Sequence, residues 1–226
     1  MIRRWWFLPV VGVFVGLALG CVRATQGPTS PSTAGTAPAA AVSVVKPAPL
    51  DAMAVLKNMA DFISRTKGFS VTLRDGYDVV QASGQKIAFG EIRQITVERP
   101  QNLRADLTQS DGDKVQLIFD GREISFASSS DNIYSITPKP GNLDDAVKYL
   151  VKDLGIRLPL AMMLLSTFPE ELEQRVTAAD YVEFDTITTP PTHHVAARTD
   201  AVDFQVWVAA EGNPLPLQVI ITYKLE

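Results

Sequence analysis

Cysteine and histidine are almost missing from this 226-residue chain, which has one Cys and two His. A lone cysteine, Cys21, excludes a disulfide within the chain and with it a disulfide-stapled fold. His193 and His194 are adjacent in a stretch of alternating pattern, so their rings point to opposite faces, and nothing nearby completes a zinc ligand set. No metal and no cofactor are expected. No glycine-rich phosphate loop follows a strand, no nucleophile elbow occurs, and the serine cluster Ser128-Ser129-Ser130 reads as a loop. No catalytic residue is nominated, and the chain is not expected to be an enzyme. Charge of one sign is gathered nowhere: 21 basic residues stand against 25 acidic, for a net −4. Without Arg3 and Arg4 the remainder is more acidic still, so nucleic acid is not an expected partner.

Long apolar runs are also scarce, and the longest lies at the start. Met1-Ile2-Arg3-Arg4 is positive, and Trp5 to Leu19 is apolar apart from glycines and one proline. That is shorter than the about 20 residues of a spanning helix and suits a signal peptide over residues 1–20. Arg3-Arg4-Trp5-Trp6-Phe7-Leu8 is also faintly similar to a twin-arginine export signal, one residue out of spacing. Ala18-Leu19-Gly20 before Cys21 resembles a bacterial lipobox, in which the cysteine becomes the lipidated first residue. Ala18 stands where a larger aliphatic is preferred, and Leu19 where a small residue is. Plain cleavage and an uncleaved anchor helix stay open beside lipidation of Cys21. Val22, rather than aspartate, follows the cysteine, which leans toward the outer membrane rather than the inner. Residues 21–49 are rich in Ala, Pro, Ser and Thr, bury too little to fold, and read as a tether. The expectation is a periplasmic domain anchored to a membrane.

The body spans residues 50–226. Leu50, Met53, Leu56, Met59, Ala60 and Ile63 recur at helical spacing, with Asp51 at the amino end. Phe69, Val71 and Leu73 alternate, Asp75-Gly76 suggests a turn, and Tyr77 to Ala82 reads as the return strand. Ile87 to Val97 continues, with a bulge expected near Glu91-Ile92. Strands follow at Leu103–Leu107, Val115–Phe119, Ile124–Phe126 and Ile133–Ile136, with Asp111, Asp113 and Asp120 in turns. Asn142 caps a helical segment ending at Gly155, where Asp144-Asp145 suit the first turn. Pro159 opens an almost wholly apolar helix, Leu160 to Leu165, and a short helix covers Pro169 to Gln174. Strands return at Tyr181–Asp185, His193–Ala196, Val202–Val208 and Leu217–Tyr223, the last with Pro214 and Pro216 as befits an edge.

Several segments resemble a bacterial family of predicted periplasmic proteins across residues 50–226. They are Lys67-Gly68-Phe69-Ser70-Val71, Asp78-Val79-Val80-Gln81-Ala82-Ser83-Gly84-Gln85-Lys86, Glu98-Arg99-Pro100-Gln101-Asn102-Leu103-Arg104-Ala105 and Phe119-Asp120-Gly121-Arg122. Gly155-Ile156-Arg157-Leu158-Pro159-Leu160, His193-His194-Val195-Ala196 and Pro214-Leu215-Pro216 extend the match. More remotely, the order of elements is similar to the periplasmic lipoprotein carriers and outer-membrane lipoprotein receptors. That fold also occurs in a periplasmic regulator that senses lipoproteins and restrains an anti-sigma factor. The resemblance implies a half-barrel lidded by helices and binding of acyl chains, and brings no catalytic residues.

The expected fold is therefore α+β: a strongly curved antiparallel sheet, an unclosed half-barrel, with helices packed on its concave face. The expected function is a membrane-tethered extracytoplasmic protein that binds an apolar ligand, a lipid or an acylated protein. Phe69, Val71, Leu73, Phe89, Leu160, Met163, Leu164, Phe168 and Trp207 would line its site. The alternative is an envelope interaction, assembly or regulatory module whose apolar residues are solid core, since composition does not separate a greasy pocket from a greasy core. Intact-mass analysis of membrane-extracted protein is expected to find Cys21 at the amino terminus carrying acyl chains; an unmodified cysteine refutes lipidation.

Overall fold

The computed structural model describes residues 50–224 apart from Arg157 and Pro159, so the signal peptide, Cys21 and the tether lie outside the described residues. The first helix, α1 (Ala52–Arg65), starts where Asp51 accepts a hydrogen bond from the Met53 N–H at 2.9 Å. Its buried stripe is Ala52, Leu56, Met59, Ala60 and Ile63, one face of a 3.6-residue period. Six strands follow: β1 (Gly68–Val80), β2 (Lys86–Glu98), β3 (Asn102–Gln109), β4 (Lys114–Phe119), β5 (Glu123–Ser128) and β6 (Ile133–Pro138). They form one antiparallel sheet in chain order. Directly opposed residues share a face, so Phe69, Val97, Leu103, Phe119 and Ile124 stand on one side. The other side carries Thr96, Arg104, Ile118 and Ser125, a mostly polar row on the face away from the helices.

The expected turn at Asp75-Gly76 does not exist. β1 runs unbroken through it, with Asp75 opposite Glu91 and Gly76 opposite Gly90. The chain reverses at Gln81–Gln85, where Gly84 takes φ 82° and donates to the Gln81 carbonyl. Thirteen continuous cross-strand pairs outweigh the local turn preference of an aspartate-glycine pair. The bulge expected near Glu91-Ile92 is absent too: Phe89 and Ile95 lie on the same face, and the register breaks are in the second sheet, at Tyr181/Glu183 and Pro216/Gln218.

Between the sheets lie the helices. Asn142 caps α2 (Leu143–Lys148) by accepting from the Asp145 N–H, and the helix continues as a π turn over Tyr149–Asp153. Gly155 (φ 64°) ends it, with the Ile156 N–H returning to the Leu150 carbonyl. The apolar helix expected over Leu160–Leu165 shrinks to a 3-10 turn, Ala161–Leu164, because Leu160 takes a left-handed conformation (φ 61°) that cuts it off on the amino side. The third helix, α3 (Phe168–Arg175), has Pro169 in its first turn, and Glu170 and Glu171 there favour its positive end. The last strands, β7 (Ala178–Asp185), β8 (Thr192–Arg198), β9 (Val202–Ala209) and β10 (Pro216–Tyr223), form a second antiparallel sheet with β10 at its edge. The architecture is α+β with unclosed sheets, two of them rather than the single half-barrel sheet expected.

Each sheet buries its apolar face against its own helices. Ile95, Val97, Leu103, Leu117, Phe119 and Ile124 meet Leu143, Ala146, Val147 and Leu150. Val195, Ala197, Val206 and Val208 meet the α1 stripe with Phe168 and Leu172. The short 3-10 turn serves both, with Leu164 and Leu165 in the first cluster and Met162 and Met163 against the second. Arg99 staples this junction: Nη1 donates to the Leu164 carbonyl at 2.6 Å and Nε to the Thr66 carbonyl at 3.2 Å. Burial lowers its pKa, and Asp144 nearby opposes that. Asp144 in turn accepts from the Ser166 N–H and hydroxyl, so the expected first-turn carboxylate also ties α2 to the start of α3. Replacing Arg99 by Met removes two charge-assisted bonds to the Leu164 and Thr66 carbonyls. Chemical denaturation is expected to show a loss of about 2 kcal/mol, against less than about 0.5 kcal/mol for Ser70→Ala at an exposed hydroxyl pair.

Candidate functional site

The long β1–β2 hairpin overhangs the rest of its sheet. β3 pairs with β2 only from Glu91 onward, so among the described residues 76–80 and 86–89 have no third strand beside them. On the apolar face of this overhang Tyr77 stands opposite Phe89 and Val79 opposite Ile87. The Tyr77 and Phe89 rings stack with centroids 5.9 Å apart. Phe89 is 40% exposed, Ile87 39% and Val71, further down β1, 37%. These side chains continue the face that the helices cover elsewhere, and here they meet solvent.

At the root of the overhang, the same greasy face carries three charges. Asp75 and Glu91 are directly opposed, and Arg93 reaches both, with Nε 3.3 Å from Asp75 and a hydrogen bond to Glu91. The side chains of Arg93 and Glu91 are 14% and 7% exposed. Burial raises the Asp75 pKa, against the pull of Arg93, and burial likewise lowers that of Arg93, against Asp75, Tyr223 and Tyr77. One Asp75 carboxyl oxygen is buried without a hydrogen bond. Tyr223 comes from β10, so the end of the second sheet reaches this place. The ensemble is an apolar platform with an ion-paired root of two carboxyls and one guanidinium.

The nominated residues are spread over several surroundings. Phe69 and Leu73 pack half-buried against the first core, and Leu164 lies within it. Phe168 lies in the second core and Met163 against it. Leu160 is half-buried where the chain turns left-handed. Val71 and Phe89 sit on the exposed part of the β1–β2 face. Trp207 points away from the helices: its neighbours Val206 and Val208 face the core, while its ring stacks on His194 at 3.9 Å. His194 Nε2 meets Gln205 at 2.9 Å, and His193, on the other face, meets the Tyr181 hydroxyl at 3.2 Å. Burial lowers the His193 pKa. Two shallow surface depressions lie away from the β1–β2 face. One, of about 230 Å³, lies over Ala196, Gln205, Asp203 and Thr222, and the other, of about 390 Å³, lies beside Asp61, Phe62 and Pro214. None of the nominated residues lines either.

Asp75, Glu91 and Arg93 went unnominated because Asp75 was read as a turn residue. The signal was there: each keeps the odd-numbered phase of Phe69, Leu73, Phe89 and Val97, which a strand read straight through would have shown.

A family model described as "Predicted periplasmic protein (DUF2092)" matches residues 52–226. The chain belongs to this family. The described domain and the family match are coextensive at the amino end, where α1 begins at Ala52. No curated protein matches. Among solved structures, a chain of the Pseudomonas aeruginosa MucA/MucB complex is similar at 17% identity with a TM-score of 0.38. The match covers 76% of this chain and 51% of that one, so the chain spans about half the length of the structure it resembles.

Arg93 holds two carboxylates together in poor solvent, which makes its removal dependent on pH. In Arg93→Met the one influence that opposes burial at Asp75 is gone, so its already raised pKa moves further above the unfolded value. Its stabilisation is then complete at low pH and lost as pH rises through the raised value. The variant is expected to be about 3 kcal/mol less stable than wild type near neutral pH and to recover most of that near about pH 4, as read by urea denaturation at both.

Proposed function

We propose that this periplasmic family member is a non-catalytic envelope interaction module, tethered to a membrane through Cys21, that works through its exterior. The observation that supports this reading is burial at the helix–sheet contacts, where Leu56, Ala60, Ala146, Leu150 and Val195 are wholly buried. A carrier that enclosed an alkyl chain would gain about 0.8 kcal/mol per methylene, and at these positions the protein's own side chains supply the contacts. Ile87 and Phe89, the latter stacked on half-buried Tyr77, supply exposed apolar surface on a hairpin that projects past its neighbours, a form suited to contact with another protein. Arg93 is tied to both Asp75 and Glu91, which supports a structural role for these charges over chemistry.

The second reading is binding of a lipid or acylated protein. What favours it is that Val71, Ile87 and Phe89 share the face that the helices cover, so an alkyl chain laid along the hairpin would extend the core.

The two are separated with the detergent-extracted full-length chain. Mass spectrometry of an organic extract is expected to find no stoichiometric acyl lipid. After delipidation, the wild type is expected to retain a saturable protein partner from envelope extracts that Phe89→Lys loses by about ten-fold or more, with circular dichroism unchanged. One acyl lipid per chain, lost in Phe89→Lys, overturns the module in favour of the carrier.

A further inference from the structure

The odd-numbered residues of β1 and β2 form a strip two strands wide. From the tip of the overhang downward its rungs are Val79–Ile87, Tyr77–Phe89, Asp75–Glu91, Leu73–Arg93 and Val71–Ile95. Ile87 and Phe89 at one end and Val71 at the other are exposed. Between them lies Asp75, whose side chain is still 26% exposed, beside the more deeply buried Glu91 and Arg93. The strip is greasy at both ends and charged in the middle. With both carboxyls ionised, two negative charges meet one positive, and one negative charge is left over. The neighbouring elements do not cancel it. Tyr77 of β1 and Tyr223 of β10 act on Arg93, and tyrosines ionise only near about pH 10. Gln109 of β3, opposite Glu91, is uncharged. Arg74 and Asp78 are even-numbered and stand on the other face of β1.

We propose that the overhang is an acid-promoted docking surface, in which a proton on Asp75 joins the two apolar ends into one uncharged strip for an apolar segment of a partner protein. The inference rests on the interaction-module reading and adds its regulation. An occupant that runs from Phe89 to Val71 passes over Asp75 and takes away the water that Asp75 still touches. An ionised carboxyl deprived of that water is costly, and a protonated one much less so. Arg93 does not remove the cost, because it is shared with Glu91, to which it is hydrogen-bonded. Burial already raises the Asp75 pKa, so acidification brings a proton from solvent onto it ahead of an ordinary aspartate. Covering the strip acts in the same direction. Docking and protonation therefore favour each other, each by the same factor. Once Asp75 is protonated, Arg93 and Glu91 remain as a balanced pair and the root carries no net charge.

The test uses the full-length chain in detergent and a neutral apolar photoprobe, 3-(trifluoromethyl)-3-phenyldiazirine, with labelled positions mapped by mass spectrometry. The probe has no titratable group, and only label on Val71, Ile87 and Phe89 is counted, so that reaction with carboxyls does not enter. From about pH 7.5 down to about pH 4.5, this labelling is expected to rise about three-fold or more. Labelling of Ile133 and Tyr134, exposed on a strand without charges, is expected to stay constant. Asp75→Asn, shown to be folded by circular dichroism, is expected to label at the acid level at both pH values, and Phe89→Lys to lose the label at both. Wild-type labelling that Phe89→Lys abolishes but that is equal at the two pH values overturns the inference and leaves the docking surface standing. So does a folded Asp75→Asn that keeps the pH dependence; if that variant does not fold, the wild-type comparison decides alone. Labelling of Val71 and Ile87 that Phe89→Lys leaves unchanged refutes the surface itself, and the inference with it.

Discussion

Two sheets, each greasy on one side, compete for a small number of helical residues to cover them. That constraint organises the molecule. Neither sheet closes on itself, so neither can bury its apolar face alone, and α1, α2, α3 and the 3-10 turn between them are shared out as covers. The turn at Ala161–Leu164 is the place where the division is made, since successive residues of one short segment enter different cores. Arg99 holds that segment by its carbonyl, and Asp144 holds the residues after it. Where the covers run out, along the overhang of β1 and β2, the same face is left to solvent.

Much of this was readable beforehand. The α1 stripe, its Asp51 cap, the Asn142 cap, Pro169 in α3 and the edge position of β10 follow from local chemistry, because caps, proline and helical periodicity act over a few residues. Alternation placed Val206 and Val208 on the face opposite Trp207. What went unread depended on distant partners. Asp75-Gly76 has the composition of a turn, and only the thirteen-residue pairing with β2 keeps it extended. The division of ten strands into two sheets is a long-range fact with no local mark. Leu160–Leu165 is apolar throughout, which announces burial but not a left-handed residue that truncates the helix.

The site was legible in the same uneven way. Phe69, Leu73, Leu164 and Phe168 were recognised as apolar surface in need of cover, and each has cover from the protein itself. Hydrophobicity identifies what is removed from water and is silent about whether a side chain or a ligand does the removing. The charged root at Asp75, Glu91 and Arg93 escaped because an aspartate-glycine pair has the local makeup of a turn. It is instead a compact ion cluster carried on a strand that never breaks.

The partnership of α1 with β8 and β9 has a consequence for how the chain is made. The first element of the body packs on strands that are among the last to be synthesised and exported. Until those strands arrive, Leu56, Met59 and Ile63 have nothing permanent to lie against, and their contacts close almost the whole length of the domain into one loop. A chain of this design keeps its leading helix short of its strand partners until the end of the domain has been made.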